Sequence, residues 1–125
     1  MSTILIVEDD PFLSKMYVEK LEAAGFNIEA AMDGEQALNT LNDKSVDLVL
    51  LDIVLPKKDG FEILRDIKAN PKLNNAKVVM LSNLGQEEDI KKGADLGADG
   101  YLVKSHFTPS EVLAKIKTIL NKNKI

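Results

Sequence analysis

The chain has 125 residues, 45% hydrophobic and 29% charged, enough apolar material for one core and enough charge for solubility. A formal net charge of -4 argues against nucleic acid as a direct partner, because phosphate contacts need basic surface. There is no cysteine, so no disulfide and no thiolate metal site, which fits a reducing compartment; no apolar run nears the roughly 20 residues of a membrane span, and MSTILIVEDD lacks the basic start of a signal peptide, so a cytoplasmic location with no membrane contact is expected.

Short apolar runs alternate with helical patterns along the chain, with no repeat or low-complexity linker. Residues 3–7 read as the first strand, closed by Glu8, Asp9 and Asp10. Asp10 can cap a helix that has Pro11 at its first position, where a missing N–H does no harm. Leu13, Tyr17, Leu21 and Ala24 form that helix's apolar stripe, and Gly25 ends it. Residues 26–31 form a strand interrupted by Asn27 and Glu29, as at a sheet edge. A short helix over 34–42 leads to the near-continuous apolar strand 46–51, which stops at Asp52. A helix over 60–69 closes ahead of Pro71, and strand 77–81 stops at Ser82. A weaker helix over 86–96 contains Gly93, and the short strand 100–103 stops at Lys104. Thr108-Pro109-Ser110-Glu111 is a capping box that opens the last helix, with Val112, Leu113, Ile116, Ile119 and Leu120 on its apolar face.

Five strands alternating with five helices predict one α/β domain over 1–125, a doubly wound parallel sheet with helices on both faces and right-handed crossovers. The first, third and fourth strands are the most apolar and belong in the middle; the polar second and the short fifth belong at the edges. The order 2-1-3-4-5, flavodoxin-like, satisfies this.

In a parallel sheet all strands end on the same edge, and ligands bind where the strand order reverses, here between the first and third strands. Glu8, Asp9 and Asp10 would therefore face Asp52 across a crevice, with Ser82 and Lys104 on the same edge. Any one of these residues alone is an ordinary turn, cap or solvated residue; it is their joint placement that points to a site. Clustered carboxylates share a proton or bind a cation. An oxygen-only donor set favours a hard ion, and Mg2+ takes one or two carboxylates while keeping waters for an incoming phosphate. Lys104 adds positive charge and Ser82 a hydroxyl, the positioning and charge neutralisation that phosphoryl transfer needs, with Asp52 as nucleophile or acceptor.

These residues resemble the receiver domain of response regulators, the phosphoacceptor half of two-component signalling, over essentially the whole chain. The resemblance rests on the acids after the first strand, on LLDIVLPKKDG around Asp52, on Ser82, and on Lys104 after GADGYLV. It implies that Asp52 is phosphorylated from a histidine kinase or a phosphotransfer protein. Mg2+ would be held by Asp9, Asp52 and the backbone carbonyl of Val54, with Glu8 acting through a metal-bound water. Ser82 and Tyr101 match the switch pair, and Lys104 the lysine that holds the phosphoryl group; Asp10 remains a helix cap. The output surface is then the fourth helix, fifth strand and fifth helix, presented to an unknown downstream protein by a monomer or weak dimer. Such a protein catalyses its own phosphorylation and slow dephosphorylation rather than acting on a separate substrate.

The sequence departs from this family at Lys104-Ser105-His106-Phe107, where Lys-Pro with a cis bond is usual. A cis bond before serine costs about 2.5–4 kcal/mol, so a trans bond is expected here. Gly100 replaces an acid common in the DNA-binding subfamily, and NKNKI follows the fifth helix. His106 reads as exposed or locally packed, and Lys91-Lys92 as a solvated helix face. A haloacid-dehalogenase-type phosphatase would need an Asp at Val54, and a flavin carrier would need a phosphate loop where Glu8-Asp9-Asp10 would repel it. A receiver fold that no longer takes phosphate and serves as a constitutive interaction module is the alternative.

Overall fold

The computed structural model describes residues 2–121. Its elements run β1 (Thr3–Val7), α1 (Pro11–Ala23), β2 (Asn27–Ala31), α2 (Gly34–Asp43), β3 (Leu48–Leu51), α3 (Gly60–Ala69), β4 (Lys77–Ser82), α4 (Glu87–Asp95), β5 (Gly100–Val103) and α5 (Pro109–Asn121). The strands form one parallel sheet in the order β2-β1-β3-β4-β5, as the sequence pattern requires.

Side-chain alternation divides the core between the two faces. Leu5, Val7, Val49, Leu51, Val78 and Met80 point to the face covered by α2 and α3. Ile4, Ile6, Leu48, Leu50, Val79 and Leu81 point to the face covered by α1 and α5. All twelve are buried, and each fully buried side chain of this kind stabilises by roughly 1.5–3 kcal/mol relative to exposure. Both faces of the central strands are covered, so those strands carry no polar alternation.

Caps set where the helices begin. The Asp10 carboxylate accepts from the Phe12 and Leu13 N–H groups at 2.9 and 3.2 Å, which fixes the turn after β1. Thr108 and Glu111 form the expected reciprocal box at 2.9 and 3.2 Å. Gly25 ends α1 with φ 98°, a backbone conformation that glycine enters without steric cost.

Several boundaries differ from expectation by a residue or two. β3 starts at Leu48 rather than Val46; Asp47 just before it already pairs with both neighbouring strands, its N–H donating to the Thr3 carbonyl and its carbonyl accepting from Lys77 N–H, both at 2.9 Å, while its carboxylate accepts from Thr3 N–H at 2.8 Å. Phe26 lies before β2; its N–H closes the end of α1 on the Leu21 carbonyl. β4 extends to Ser82, and α4 is framed by Gln86 and Leu96 as caps. After β5 the chain makes a short 3-10 turn, Lys104–His106. No cis peptide bond occurs among the described residues, so Lys104–Ser105 is trans as expected. Of the terminal NKNKI, residues 122–125 lie outside the described residues.

Candidate functional site

The carboxyl ends of β1, β3, β4 and β5 deliver the anticipated residues to one edge. The Asp52 N–H donates to the Val7 carbonyl at 3.1 Å and the Glu8 N–H to the Ala31 carbonyl at 3.0 Å, so both acids are anchored by the last rungs of the sheet. Their side chains turn inward, leaving Glu8 4% and Asp52 7% exposed, while Asp9 faces solvent. Glu8, Asp9 and Asp52 each offer an oxygen within 4.8 Å of the others.

Two buried carboxylates side by side need cationic or hydrogen-bonded compensation. Lys104 supplies it across the sheet. Its Nζ lies 2.5 Å from Glu8 Oε1 and 3.0 Å from Asp52 Oδ2. The other two oxygens accept backbone N–H groups: Asp52 Oδ1 from Ile53 at 2.7 Å, and Glu8 Oε2 from Asp10 at 3.2 Å. Burial pushes the Glu8 carboxyl above its ordinary value and the Asp52 charge adds to this, against the opposing pull of Lys104 and the Asp10 N–H. For Lys104, burial pulls downward, but its hydrogen bonds to Glu8 and Asp52 and their charges outweigh it, and the ammonium is held more firmly than in free lysine. Both directions favour the state in which the pair keeps a proton.

Gly60 allows this geometry. It opens α3 against the site, and a Cβ there would lie 2.2 Å from the Asp52 carbonyl oxygen and 2.7 Å from Ile53 Cα. Its N–H donates to the Ile53 carbonyl at 2.8 Å, drawing the loop after Asp52 onto the helix. Among the described residues no backbone N–H of the loops donates to the Val54 carbonyl, and Val54 is exposed.

Ser82 is 1% exposed, and its Oγ accepts the Leu84 N–H at 3.4 Å. The Tyr101 hydroxyl donates to the Leu84 carbonyl, so both residues of the anticipated pair converge on one loop residue. Burial, followed by the charges of Asp89 and Asp52, pushes the Tyr101 phenol up to about 12. Its ring packs against Gly93 of α4, where a Cβ would lie 3.2 Å from Cδ2. Asp10 serves as the helix cap, and His106 is exposed. Lys91 and Lys92 are exposed, but Lys92 also stands 4.6 Å over the Phe61 ring, a cation–π contact from α4 to α3 that the sequence reading did not include. That reading also treated Tyr17 only as part of an apolar stripe, whereas it borders the same cavity as Glu8 and Asp52. A hydroxyl within an aliphatic stripe was the one available signal.

Residues 4–117 match the family model of the response regulator receiver domain. The chain belongs to this family. Among its relatives, the transcriptional regulatory protein CpxR of Escherichia coli is 43% identical over 123 residues, 98% of this chain and 51% of CpxR. The chain thus spans about half the length of the curated relatives it matches first. The chemotaxis response regulator CheY4 of Vibrio cholerae superimposes with a TM-score of 0.89 at 28% identity, over 95% of this chain and 98% of that one. The BeF3-activated receiver domain of DrrB gives 0.86 at 35% identity, over 97% and 98%. This chain is therefore a receiver domain, a signalling switch rather than a classical enzyme, and a phosphoacceptor role is consistent with that membership. Receiver domains partner with histidine kinases or phosphotransfer proteins. Its acidic cluster is an all-oxygen donor set that fits a hard divalent cation. No helix among the described residues is long and apolar enough to cross a membrane.

Proposed function

We propose that this receiver domain accepts a phosphoryl group on Asp52 and presents the change at α4, β5 and α5. The observation that carries the reading is the Lys104 bridge: one ammonium within 3.0 Å of both Glu8 and Asp52, at the sheet edge where strand order reverses. Asp9, Asp52 and the Val54 carbonyl would hold Mg2+, with Glu8 acting through a water. The ion would supply charge neutralisation for the incoming phosphoryl group. An Asp52 carboxylate oxygen forms the new bond to phosphorus as the donor's bond breaks, and the leaving group departs with the electron pair. The donor is a histidine kinase or phosphotransfer protein. In this reading the chain performs its own acylphosphate chemistry, and 1–125 acts as one unit.

Lys104 then exchanges its contact with Asp52 for one with the phosphoryl oxygens, and Ser82 Oγ gives up the Leu84 N–H for the same group. Leu84 also anchors the Tyr101 hydroxyl, so a shift in the loop frees the ring to move. The BeF3-activated form of DrrB shows a receiver domain of the same fold responding to a phosphoryl mimic, which supports the reading. Incubation with acetyl phosphate and Mg2+ should add one phosphoryl group by intact mass, and Asp52→Asn should add none. Stable label on Asp52→Asn would overturn the assignment.

A further inference from the structure

Tyr17 lies on the inner face of α1, 4% exposed, in an otherwise aliphatic layer with Ile4, Ile6, Leu21 and Leu50. A phenol is a costly choice there unless its hydroxyl has a use, since burying a hydroxyl without a partner costs about 1–3 kcal/mol. Among the described residues the hydroxyl makes no hydrogen bond to protein, yet no fully enclosed side-chain polar atom is left without one. It therefore keeps contact with open space. Tyr17 lines a cavity of about 10 Å³ together with Glu8, Asp52 and aliphatic side chains of β1, β3 and β4. The volume is about what one water molecule needs. The charges acting on the phenol are those of Lys104, Glu8 and Asp52, after burial itself.

We propose that Tyr17 is a positioning residue: its hydroxyl, through one water in this cavity, donates to the Glu8–Asp52 carboxylate pair from below. The need for such a donor follows from the Lys104 bridge, and the proposal rests on the Asp52 reading. When Lys104 turns to an incoming phosphoryl group, Glu8 loses its 2.5 Å partner and, of its protein donors, keeps the Asp10 N–H. Asp52 likewise keeps the Ile53 N–H among protein donors, beside the ion it would hold. Each further donor narrows the rotation left to these carboxylates, and rotation spoils the in-line approach. A donor on the side opposite the phosphoryl group holds the pair in place without competing for the oxygens that react. A water-bridged contact suffices, since a bridging water is enthalpically close to a direct hydrogen bond.

The test uses the wild type, Tyr17→Phe and Tyr101→Phe. Phenylalanine keeps the ring, so Tyr17→Phe should remain folded. Its rate of phosphorylation by acetyl phosphate at saturating Mg2+ should fall about three- to tenfold, the worth of one hydrogen bond. A purely structural role would lower stability and leave that rate unchanged. The chain has two tyrosines and no tryptophan, so in Tyr101→Phe all the ultraviolet emission comes from Tyr17. That emission should change when Mg2+ or beryllofluoride rearranges the carboxylates. An unchanged rate in Tyr17→Phe, or emission in Tyr101→Phe that responds to neither addition, overturns the proposal. If the wild type takes up no phosphoryl group, the Asp52 reading fails instead, and the response of the emission to Mg2+ decides Tyr17. If Tyr17→Phe does not fold, the emission again decides.

Discussion

Replacing Lys104 with methionine isolates the charge of the bridge, because methionine keeps most of the aliphatic stem. Lys104, Glu8 and Asp52 have side-chain exposures of 12%, 5% and 9%, so solvent does little to screen the loss. Removing one partner of a buried pair costs about 3–5 kcal/mol if the remaining charge stays in place. The remaining acids have an escape: one of them takes up a proton. For Glu8, whose ordinary value is 4.5, protonation at pH 7 costs about 3.4 kcal/mol, and this cost shrinks by about 1.4 kcal/mol per pH unit as the pH falls. The expected destabilisation is therefore about 3 kcal/mol at pH 7 and under about 1 kcal/mol at pH 5. For a domain of this size that is a melting temperature lower by roughly 10 °C at pH 7, nearly recovered at pH 5. The assay is thermal unfolding in EDTA at both values. Saturating Mg2+ at pH 7 should recover more stability in the variant than in the wild type, because it supplies the missing positive charge. A loss of equal size at pH 5 and pH 7 would mean that packing, not charge, was removed, and the account of the bridge would be wrong.

Gly60→Ala should destabilise by at least about 2 kcal/mol, since its Cβ would meet backbone at 2.2 Å, and should also slow phosphorylation by displacing Asp52; a melting temperature within a degree of wild type would refute the close approach. Val54→Asn should speed loss of phosphate from Asp52, because Val54 and Leu84, 64% and 38% exposed beside the site, offer an attacking water no hydrogen bond; an unchanged or slower rate, measured by intact mass over time, refutes this. The tyrosinate absorbance should show a component near pH 12 that Tyr101→Phe removes. Because that phenol is raised in the folded state, its contribution to stability is full below pH 10 and lost as the pH climbs toward 12; titration of Tyr101 near 10 would refute the burial and hydrogen bond that raise it.

The fold was legible where the sequence marks both ends of an element. Asp10-Pro11 and Gly25 bracket α1, and Thr108 with Glu111 opens α5, because capping is local chemistry written in adjacent residues. β3 was placed from Val46 because hydrophobicity shows burial rather than backbone pairing; pairing with β1 and β4 begins at Asp47, a polar residue that no apolar pattern singles out. Glu8, Asp9, Asp52, Ser82 and Lys104 could be brought together on paper because a parallel sheet gathers strand ends on one edge. The Lys104 bridge to Glu8 spans 96 positions, and its partner depends on side-chain conformation, which no pattern encodes. Tyr17 was hidden for a similar reason: helical periodicity gives the face on which a residue lies, not what its terminal atom reaches.

Gly93 is the only buried residue of α4, whereas α3 buries five of its ten. A helix so lightly committed to the interior can be rewritten at nearly every position with changes within about 0.5 kcal/mol, the usual range for surface substitutions. The sheet edge that holds Asp52 is locked by core packing and resists change. The two regions thus differ in what a substitution costs: the chemistry of the edge can stay fixed while the outer surface of α4 changes. Duplicated copies of such a gene could acquire different listeners without losing the ability to fold or to react.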